Sequence, residues 1–307
     1  MSDPERLDGQ VALVAGGGRG IGRAIARALG AAGASVAVLA RSAGEVAETV
    51  ALIEQAGGRA GAFPADATRA EAIGAAVVEA ERTLGPLDLL VNCVATLGPI
   101  GPFWETDLAQ WWGALDVVLR GPLVCVRAVL PGMIARRRGR IVNVASGGGA
   151  LAIPYFSGYV TGKTALIRVT ECLAAEAQPY GVALFAIEPG AVRTAMAEQV
   201  LESPEGRTWL PWFRRIFDGG FDVPAERAAR LVVTLAAGTA DRLSGRFLTI
   251  ADDLERILAE LAQVEREQLY SLRVRRVAGD PANPARLAIT RAAERPREAS
   301  AAEESGS

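Results

Sequence analysis

The chain has 307 residues, of which 50% are apolar and 22% are charged, and its formal net charge is −2. This composition suits a globular domain with a large core and gives no indication of a nucleic-acid or membrane-surface partner. The absence of histidine excludes Ser-His-Asp and Cys-His catalysis and His-ligated metal sites. Cys93, Cys125 and Cys172 are widely spaced, which is typical of buried thiols in a reducing compartment.

The N-terminus is charged and polar, and no uninterrupted apolar run reaches the roughly 18 residues of a membrane span. We therefore expect a cytoplasmic protein with no membrane partner. The basic run 136–138 follows an apolar segment and precedes Gly139, as expected at a helix C-terminus, where cations oppose the helix dipole.

The first predicted elements are a short apolar strand at 11–15, a glycine-rich turn and a helix at about 23–29. In this order, the turn lets the backbone approach a pyrophosphate, and the helix N-terminus supplies amide donors. The sequence therefore predicts a dinucleotide site, with a tight turn that binds no ligand as the alternative. The candidate residues are Gly16, Arg19, Gly20, Ile21 and Gly22.

The second predicted strand, 35–40, ends at Ala40 and Arg41. In dinucleotide-binding folds, an acidic residue at this place accepts a hydrogen bond from the ribose 2′-hydroxyl. Arg41, together with Arg19 in the glycine turn, suits a 2′-phosphate instead. The sequence therefore favours NADP(H) over NAD(H), and two ordinary surface arginines are the alternative interpretation.

Strands and helices continue to alternate up to residue 250. Further strands are predicted at 59–64, 87–91, 139–145, 182–187 and 244–250. Helices are predicted at 43–57, 68–84, 107–138 and 224–238, and the helix that contains residues 159 and 163 is predicted to end at about 178. Repeated βα units of this length predict an α/β fold. We expect a single doubly wound Rossmann-type domain with a central parallel sheet flanked by helices, and ligands at the carboxyl ends of the strands.

Lys163 is the only lysine of the chain, and it follows Tyr159 by four positions. On a helix, residues at this spacing lie on one face. A fixed cation beside a phenol favours the phenolate, so this tyrosine could exchange a proton with a substrate at neutral pH. A packed tyrosine with a solvated lysine nearby is the alternative.

Together these motifs resemble the short-chain dehydrogenase/reductase family over residues 8–250. The matching residues are Gly16, Gly20 and Gly22 of a TGxxxGxG turn with Ala15 for threonine, Asp66, the NNAG variant at 92–95, Ser146 thirteen residues before Tyr159, Lys163 of YxxxK, and the PGxVxT segment at 189–194. Six motifs in register are specific, although each alone is weak.

The resemblance implies hydride transfer between NAD(P)(H) and an alcohol/carbonyl pair, which interconverts a secondary alcohol and a ketone. Tyr159 would be the acid/base, Lys163 would hold the nicotinamide ribose and lower the pKa of the tyrosine, and Ser146 would bind the substrate oxygen. Further implied cofactor contacts are Asp66, Asn92, Pro189, Gly190, Val192 and Thr194. The family is usually dimeric or tetrameric, so we expect a homodimer or homotetramer by analogy.

Val118 stands where the family often has an asparagine, which anchors a relay water largely through its carbonyl in a bent helix. Valine loses the amide and prefers a regular backbone, so we predict reduced but real activity. Three alternatives stay open: an isomerase or epimerase step on the same fold, a cofactor-binding regulator that has lost turnover, and a structural subunit.

Residues 194–224 are predicted to form a substrate lid, which contains Trp209, Trp212, Phe213 and Phe217. These aromatic side chains favour an apolar or ring-containing substrate, with ordinary packing as the alternative. The predicted Rossmann-type domain is 1–250, and it is followed by a C-terminal helical extension at 251–277 with a helix at about 252–269. Residues 278–307 are predicted to be disordered because they could bury little apolar surface.

Overall fold

A parallel sheet of seven strands forms the centre of the fold in the computed structural model, which describes residues 5–275. The strands are β1 Val11–Ala15, β2 Ser35–Ala40, β3 Arg59–Pro64, β4 Leu89–Asn92, β5 Gly139–Val144, β6 Val182–Glu188 and β7 Phe247–Thr249. Their spatial order is β3-β2-β1-β4-β5-β6-β7, so the winding direction reverses between β1 and β4. Ligands bind at such a switch point in doubly wound sheets.

Both faces of the sheet are buried, as a doubly wound fold requires. Leu13 and Val14 are adjacent in β1 and fully buried, and they belong to two different core clusters. Successive side chains of a strand point to opposite faces, so each cluster fills one side of the sheet. This architecture confirms the predicted fold class.

Helices cover the two faces of the sheet. In chain order they are α1 Gly20–Ala31, α2 Ala43–Gln55, α3 Ala70–Leu84, α4 Leu108–Leu115, α5 Gly121–Arg136, α6 Ser157–Ala177, α7 Ala195–Glu202, α8 Pro204–Trp209, α9 Pro211–Asp218, α10 Glu226–Ala237, α11 Leu254–Ala259 and α12 Leu261–Glu267. Helices α7 to α9 form the segment predicted as a lid, and the chain after them returns to the domain where Val223 N–H donates to the carbonyl of Ala191 at 2.8 Å.

The helix predicted over 107–138 is interrupted by a π-helical segment, Asp116–Arg120, which contains Val118. Across this segment the backbone N–H of Gly121 donates to the carbonyl of Asp116, five residues earlier. The expectation of a regular backbone at Val118 is therefore wrong. Pro122 supplies the physical reason, because it has no N–H to donate to the carbonyl of Val118, four residues earlier.

The stretch Leu108–Arg136 has the length and, with a mean hydropathy of 1.7, the composition of a membrane-spanning helix. A core helix of a globular protein has the same properties. Here α5 packs against α3, β4 and β5 and buries Cys125, Val129 and Met133. This part of its apolar surface is thus buried inside the fold.

The segment after β7 forms two short helices, α11 and α12, where a single helix was predicted over 252–269. Ile257, Leu261 and Val264 are buried in the main core cluster. Beyond α12, the carbonyl of Tyr270 accepts a hydrogen bond from Phe247 N–H at 2.8 Å. The extension therefore packs on the domain beside β7, whereas the tail predicted at 278–307 lies outside the described residues.

Candidate active site

The glycine turn after β1 leaves no room for a side chain at Gly16 or at Gly22. Gly16 has φ +83°, and a Cβ there would lie 2.6 Å from the carbonyl oxygen of Cys93. A Cβ at Gly22 would lie 2.8 Å from the carbonyl carbon of Gly16. Helix α1 begins at Gly20 without a side-chain cap from Arg19. Its first-turn amides are therefore available to an anion, and the turn fits a pyrophosphate.

Arg41 and Asp66 follow the carboxyl ends of β2 and β3, where the adenosine end of the cofactor is predicted. The N–H and hydroxyl of Thr68 donate to Asp66 Oδ1 at 2.9 and 2.8 Å and, with a smaller contribution from Arg41, hold the pKa of this carboxyl below its usual value. Arg19 is largely exposed, and its Nη1 lies 3.5 Å from Oε1 of Glu45. Arg41 thus lies near the Asp66 carboxylate, and Arg19 lies near the Glu45 carboxylate.

The loop between β6 and α7 reaches the other end of the glycine turn. Gly190 has φ +79°, a conformation that L side chains rarely adopt. The methyl group of Thr194 would lie 3.4 Å from a Cβ on Gly20. The structure therefore brings this loop beside the glycine turn. The predicted cofactor residues that follow the carboxyl ends of β1, β2, β3 and β6 are Gly16, Arg19, Gly20, Ile21, Gly22, Arg41, Asp66, Pro189, Gly190, Val192 and Thr194.

The loop after β5 holds Ser146 directly against the helix that carries Tyr159 and Lys163. The Ser146 Oγ accepts from Gly148 N–H at 3.1 Å. A Cβ at Gly149 would lie 2.9 Å from the carbonyl carbon of Lys163, so the loop packs on the α6 backbone. The Thr164 hydroxyl donates a hydrogen bond to the carbonyl of Gly149 at 2.9 Å. These contacts fix Ser146 relative to α6.

Tyr159 is half-buried and stacks on Phe156, with ring centroids 4.7 Å apart and an interplanar angle of 10°. Burial raises the pKa of its phenol, and a hydrogen bond with Ser146 acts in the opposite direction. The Nζ of Lys163 lies 5.7 Å from the centroid of the Tyr159 ring. The structure thus brings the three predicted catalytic residues together.

Lys163 is only 2% exposed, and its Nζ donates to the carbonyl of Val144 at 2.7 Å. Burial lowers the pKa of its ammonium to about 8. The resemblance implied that Lys163 lowers the pKa of Tyr159, but the structure shows a raised value. Burial of the phenol dominates here, and the ammonium is bound to Val144.

The side chain of Asn92 points into the core rather than toward the glycine turn. Its Nδ2 donates to Oδ1 of Asn143 at 2.8 Å, and Nδ2 of Asn143 donates to the hydroxyl of Thr170 at 2.9 Å. This network joins β4, β5 and α6. Oδ1 of Asn92 has no hydrogen-bond partner within residues 5–275. A cofactor contact by Asn92 stays a prediction. Since the side-chain amide is bound to Asn143, the backbone of Asn92 would have to make this contact.

Two side chains beside the site were not predicted from the sequence. A Cβ at Gly147 would lie 2.8 Å from the Glu188 carboxyl carbon, and burial and Asp252 raise the pKa of this carboxyl. Burial also raises the pKa of the Cys93 thiol to about 11, so the thiol is neutral at physiological pH. The sequence signal for the Glu188 contact was the run of glycines that begins at Gly147, because glycines of this kind allow another chain segment to approach closely.

A separate apolar cluster lies on the lid side of Tyr159. Its buried residues are Leu97, Phe156, Val200 and Leu210, with Ile100, Ile153, Tyr159, Val160, Met196 and Phe213 packed against them. They come from the loop after β4, from the loop after β5 and the start of α6, and from the lid segment. None of these side chains carries a formal charge, so the surroundings of the phenol are apolar.

Residues 10–205 match the family model for short chain dehydrogenases. The chain belongs to the short-chain dehydrogenase/reductase family. A short chain dehydrogenase from Pseudocercospora fijiensis is 32% identical over 289 residues, which cover 88% of this chain and 92% of the relative. The 2,5-dichloro-2,5-cyclohexadiene-1,4-diol dehydrogenase of Sphingobium indicum is 34% identical over 240 residues, with coverages of 77% and 92%.

The fold of this short-chain dehydrogenase is also similar to solved structures. A 7α-hydroxysteroid dehydrogenase complexed with NADH and 7-oxo glycochenodeoxycholic acid superposes with a TM-score of 0.72 at 28% identity, and the match covers 81% of this chain and 95% of that one. The family uses NAD(P)(H). The predicted family is confirmed, and the chain stands among dehydrogenases that act on alcohols.

Proposed function

We propose that this protein interconverts a secondary alcohol and a ketone, with NADP(H) as the favoured cofactor and Tyr159 as the acid/base. The observation that carries the proposal is the convergence of Ser146, Tyr159 and Lys163 beside the glycine turn, in which Gly16 and Gly22 have no room for a side chain. When bound, the nicotinamide cofactor supplies or accepts the hydride.

Tyr159 moves the proton at the substrate oxygen. Its raised pKa keeps the phenol protonated at neutral pH, which suits an acid in carbonyl reduction, and the phenolate is the base in the reverse direction. The hydroxyl of Ser146, already hydrogen-bonded to the phenol, is placed to bind the same substrate oxygen. Phe156 keeps water from one face of the Tyr159 ring.

Lys163 is the residue placed to hold the nicotinamide ribose. Its pKa of about 8 leaves the ammonium mostly charged at neutral pH. An ammonium has three N–H donors, and one of them is used on the carbonyl of Val144. The other donors are available to ribose hydroxyls.

The preference for NADP(H) rests on the positions of Arg19 and Arg41. Both are exposed, and Arg41 lies close enough to Asp66 to lower the pKa of that carboxyl. A guanidinium pair of this kind binds a phosphate strongly. Glu45 opposes this preference because its carboxylate is 3.5 Å from Arg19. NAD(H) is the competing choice, and NADH is the cofactor in the 7α-hydroxysteroid dehydrogenase complex.

The apolar cluster beside Tyr159 supports an apolar or ring-containing small-molecule substrate. Because none of the side chains in this cluster carries a formal charge, the cluster offers no partner for an ionic group of a substrate. The cytoplasmic location and the homodimer or homotetramer stay predictions from the sequence.

The proposal is tested by following nicotinamide absorbance and fluorescence with NADPH and NADH against a panel of ring-containing and open-chain ketones and alcohols. Tyr159→Phe should lower turnover by about 10²–10⁴-fold and leave the cofactor Kd unchanged. Tyr180→Phe, at an exposed tyrosine beyond α6, is the matched control and should behave as the unsubstituted protein. Turnover retained by Tyr159→Phe would refute the acid/base role.

A second candidate function is a cofactor-binding homologue with weak or lost turnover, as a regulator or structural subunit. The observation in its favour is Val118, whose buried side chain lacks the amide of the asparagine usual at this place. Tight NADPH binding without oxidation or reduction of any panel compound would favour this candidate over the enzyme.

A further inference from the structure

The helix that carries Tyr159 and Lys163 has two buried glycines at i and i+4, Gly158 and Gly162. At this spacing they lie on one face of α6. Glycine within a helix costs about 0.5–1 kcal/mol relative to alanine, so two of them require a packing reason. The reason lies in α4 and the π-helical segment, which pack against this face.

Trp111 of α4 fills the space beside the first glycine. A Cβ at Gly158 would lie 3.2 Å from Cδ1 of Trp111. The indole Nε1 also donates to the hydroxyl of Ser157 at 3.0 Å. Trp111 therefore holds the first turn of α6 at Ser157 and Gly158, directly before Tyr159.

Val118 fills the space beside the second glycine. A Cβ at Gly162 would lie 2.8 Å from Cγ1 of Val118 and 3.1 Å from its Cβ. Real Cβ atoms essentially never show the shorter distance. Val118 is fully buried, so it has no open space to move into. A methyl group at position 162 is therefore incompatible with valine at position 118 in this packing.

Gly162 immediately precedes Lys163, whose position is fixed from other directions. Its Nζ is bound to Val144, and the backbone of Lys163 lies against Gly149. An added side chain at 162 would push this turn of α6 away from the π-helical segment. The ammonium would then lose its place between Val144 and the predicted ribose position.

We propose that Val118 and Gly162 are a matched pair of positioning residues that set the location of Lys163. The inference rests on the proposed function and deepens it. It gives Val118 a packing role against Gly162, in addition to the absence of the asparagine amide at position 118. It follows that the effect of a substitution at 162 depends on the residue at 118.

The test is a double-mutant cycle with Gly162→Ala, Val118→Ala and the double variant. Gly162→Ala should lower kcat about tenfold or more and weaken NADPH binding, because misplacement by about 1 Å can cost about 10²-fold. The limb of the pH–rate profile that reports Lys163 should also shift. Val118→Ala removes the Cγ methyl groups and leaves only the 3.1 Å approach to its Cβ, which a shift of a few tenths of an ångström relieves. The double variant should therefore regain activity to within about threefold of Val118→Ala. Gly113→Ala, on exposed α4 surface with open space around its Cα, is the matched control.

Additive effects of the two substitutions would overturn the proposal, as would a folded Gly162→Ala with unchanged kcat, NADPH Kd and pH profile. If Gly162→Ala does not fold alone, a folded and active double variant supports the pair, whereas two unfolded variants contradict it. An unsubstituted protein that neither binds nicotinamide cofactor nor shows turnover refutes the proposed function. An active unsubstituted protein with an uncoupled pair refutes only this inference.

Discussion

The ammonium of Lys163 is bound to the carbonyl of Val144, nineteen residues away, at 2.7 Å. This contact ties α6 to the end of β5 at the point where Ser146 follows. It compensates the ammonium only in part, since burial still lowers its pKa from 10.5 to about 8. The lysine needed by the proposed chemistry is therefore a cost to the stability of the fold.

Lys163→Met should abolish turnover but stabilise the cofactor-free protein at pH 7. With a pKa of about 8 in the folded state and 10.5 as its ordinary value, the unfolded chain binds more protons between these two pH values. Stability of the unsubstituted protein therefore rises across this interval. The advantage of the variant should be at most about 3 kcal/mol at pH 7 and should shrink toward pH 10.5.

Urea unfolding at several pH values between 7 and 10.5 measures this difference. Arg127→Met, at an exposed cation on α5, is the control and should show no comparable pH dependence. Equal stability of Lys163→Met and the unsubstituted protein at pH 7 would contradict the prediction.

Arg41→Ala and Arg19→Ala should each weaken NADPH binding by about tenfold and change NADH binding little, since a hydrogen bond to a charged group contributes about 1.5–3 kcal/mol. Glu45→Gln should strengthen NADPH binding, because it removes the carboxylate 3.5 Å from Arg19. Fluorescence titration with both cofactors measures these affinities.

Arg59→Ala is the control for the two arginines, because Arg59 begins β3 at the amino end of the strands, whereas Arg41 follows the carboxyl end of β2. It should leave both affinities unchanged. If Arg41→Ala and Arg19→Ala weaken NADH and NADPH equally, the two residues do not select the 2′-phosphate.

The strands and the glycine turn could be predicted because their signals are local. The run at 11–15 is apolar throughout and stops at glycines, and the structure has β1 over Val11–Ala15. The π-helical segment had a local signal too, since Pro122 cannot donate to the carbonyl of Val118, but periodicity alone predicts an uninterrupted helix.

The rest of the site depends on contacts between distant segments, which periodicity and motif spacing do not report. The side chain of Asn92 turns inward because β4 pairs with β5 and places Asn143 beside it. The binding of Lys163 to Val144 likewise requires the packing of α6 on β5. The motif predicts which residues meet, and the packing decides which partner each one binds.

Thr170→Val should destabilise the protein by about 1–3 kcal/mol, because it leaves the buried amide of Asn143 without its acceptor. Valine has nearly the shape of threonine, so little packing changes. Thr161→Val, at an exposed position of the same helix, should be close to neutral. Urea unfolding compares the three proteins, and equal stability of Thr170→Val and Thr161→Val would show that the network contributes no net stability.

Trp209 of the lid lies between two loops that border the site. Its ring centroid is 4.7 Å from that of Tyr155, in the loop after Ser146. Its Nε1 would lie 3.7 Å from a Cβ on Gly101, and Gly101 N–H donates to the carbonyl of Tyr155 at 2.8 Å. Trp209 thus links the lid to the domain on the substrate side, in addition to the apolar cluster that contains Phe156 and Phe213.

Trp209→Ala should raise KM for a ring-containing ketone by about tenfold, because loss of an aromatic contact and its buried area costs about 1 kcal/mol or more. NADPH Kd should stay within about threefold, since Trp209 contacts Tyr155 and the loop at Gly101 on the substrate side. Trp104→Ala, at an 80% exposed indole, is the matched control. Steady-state kinetics with the best panel substrate separates KM from kcat. An unchanged KM in Trp209→Ala would show that the lid closes without this contact, and a matching rise in Trp104→Ala would assign the effect to the aromatic surface instead.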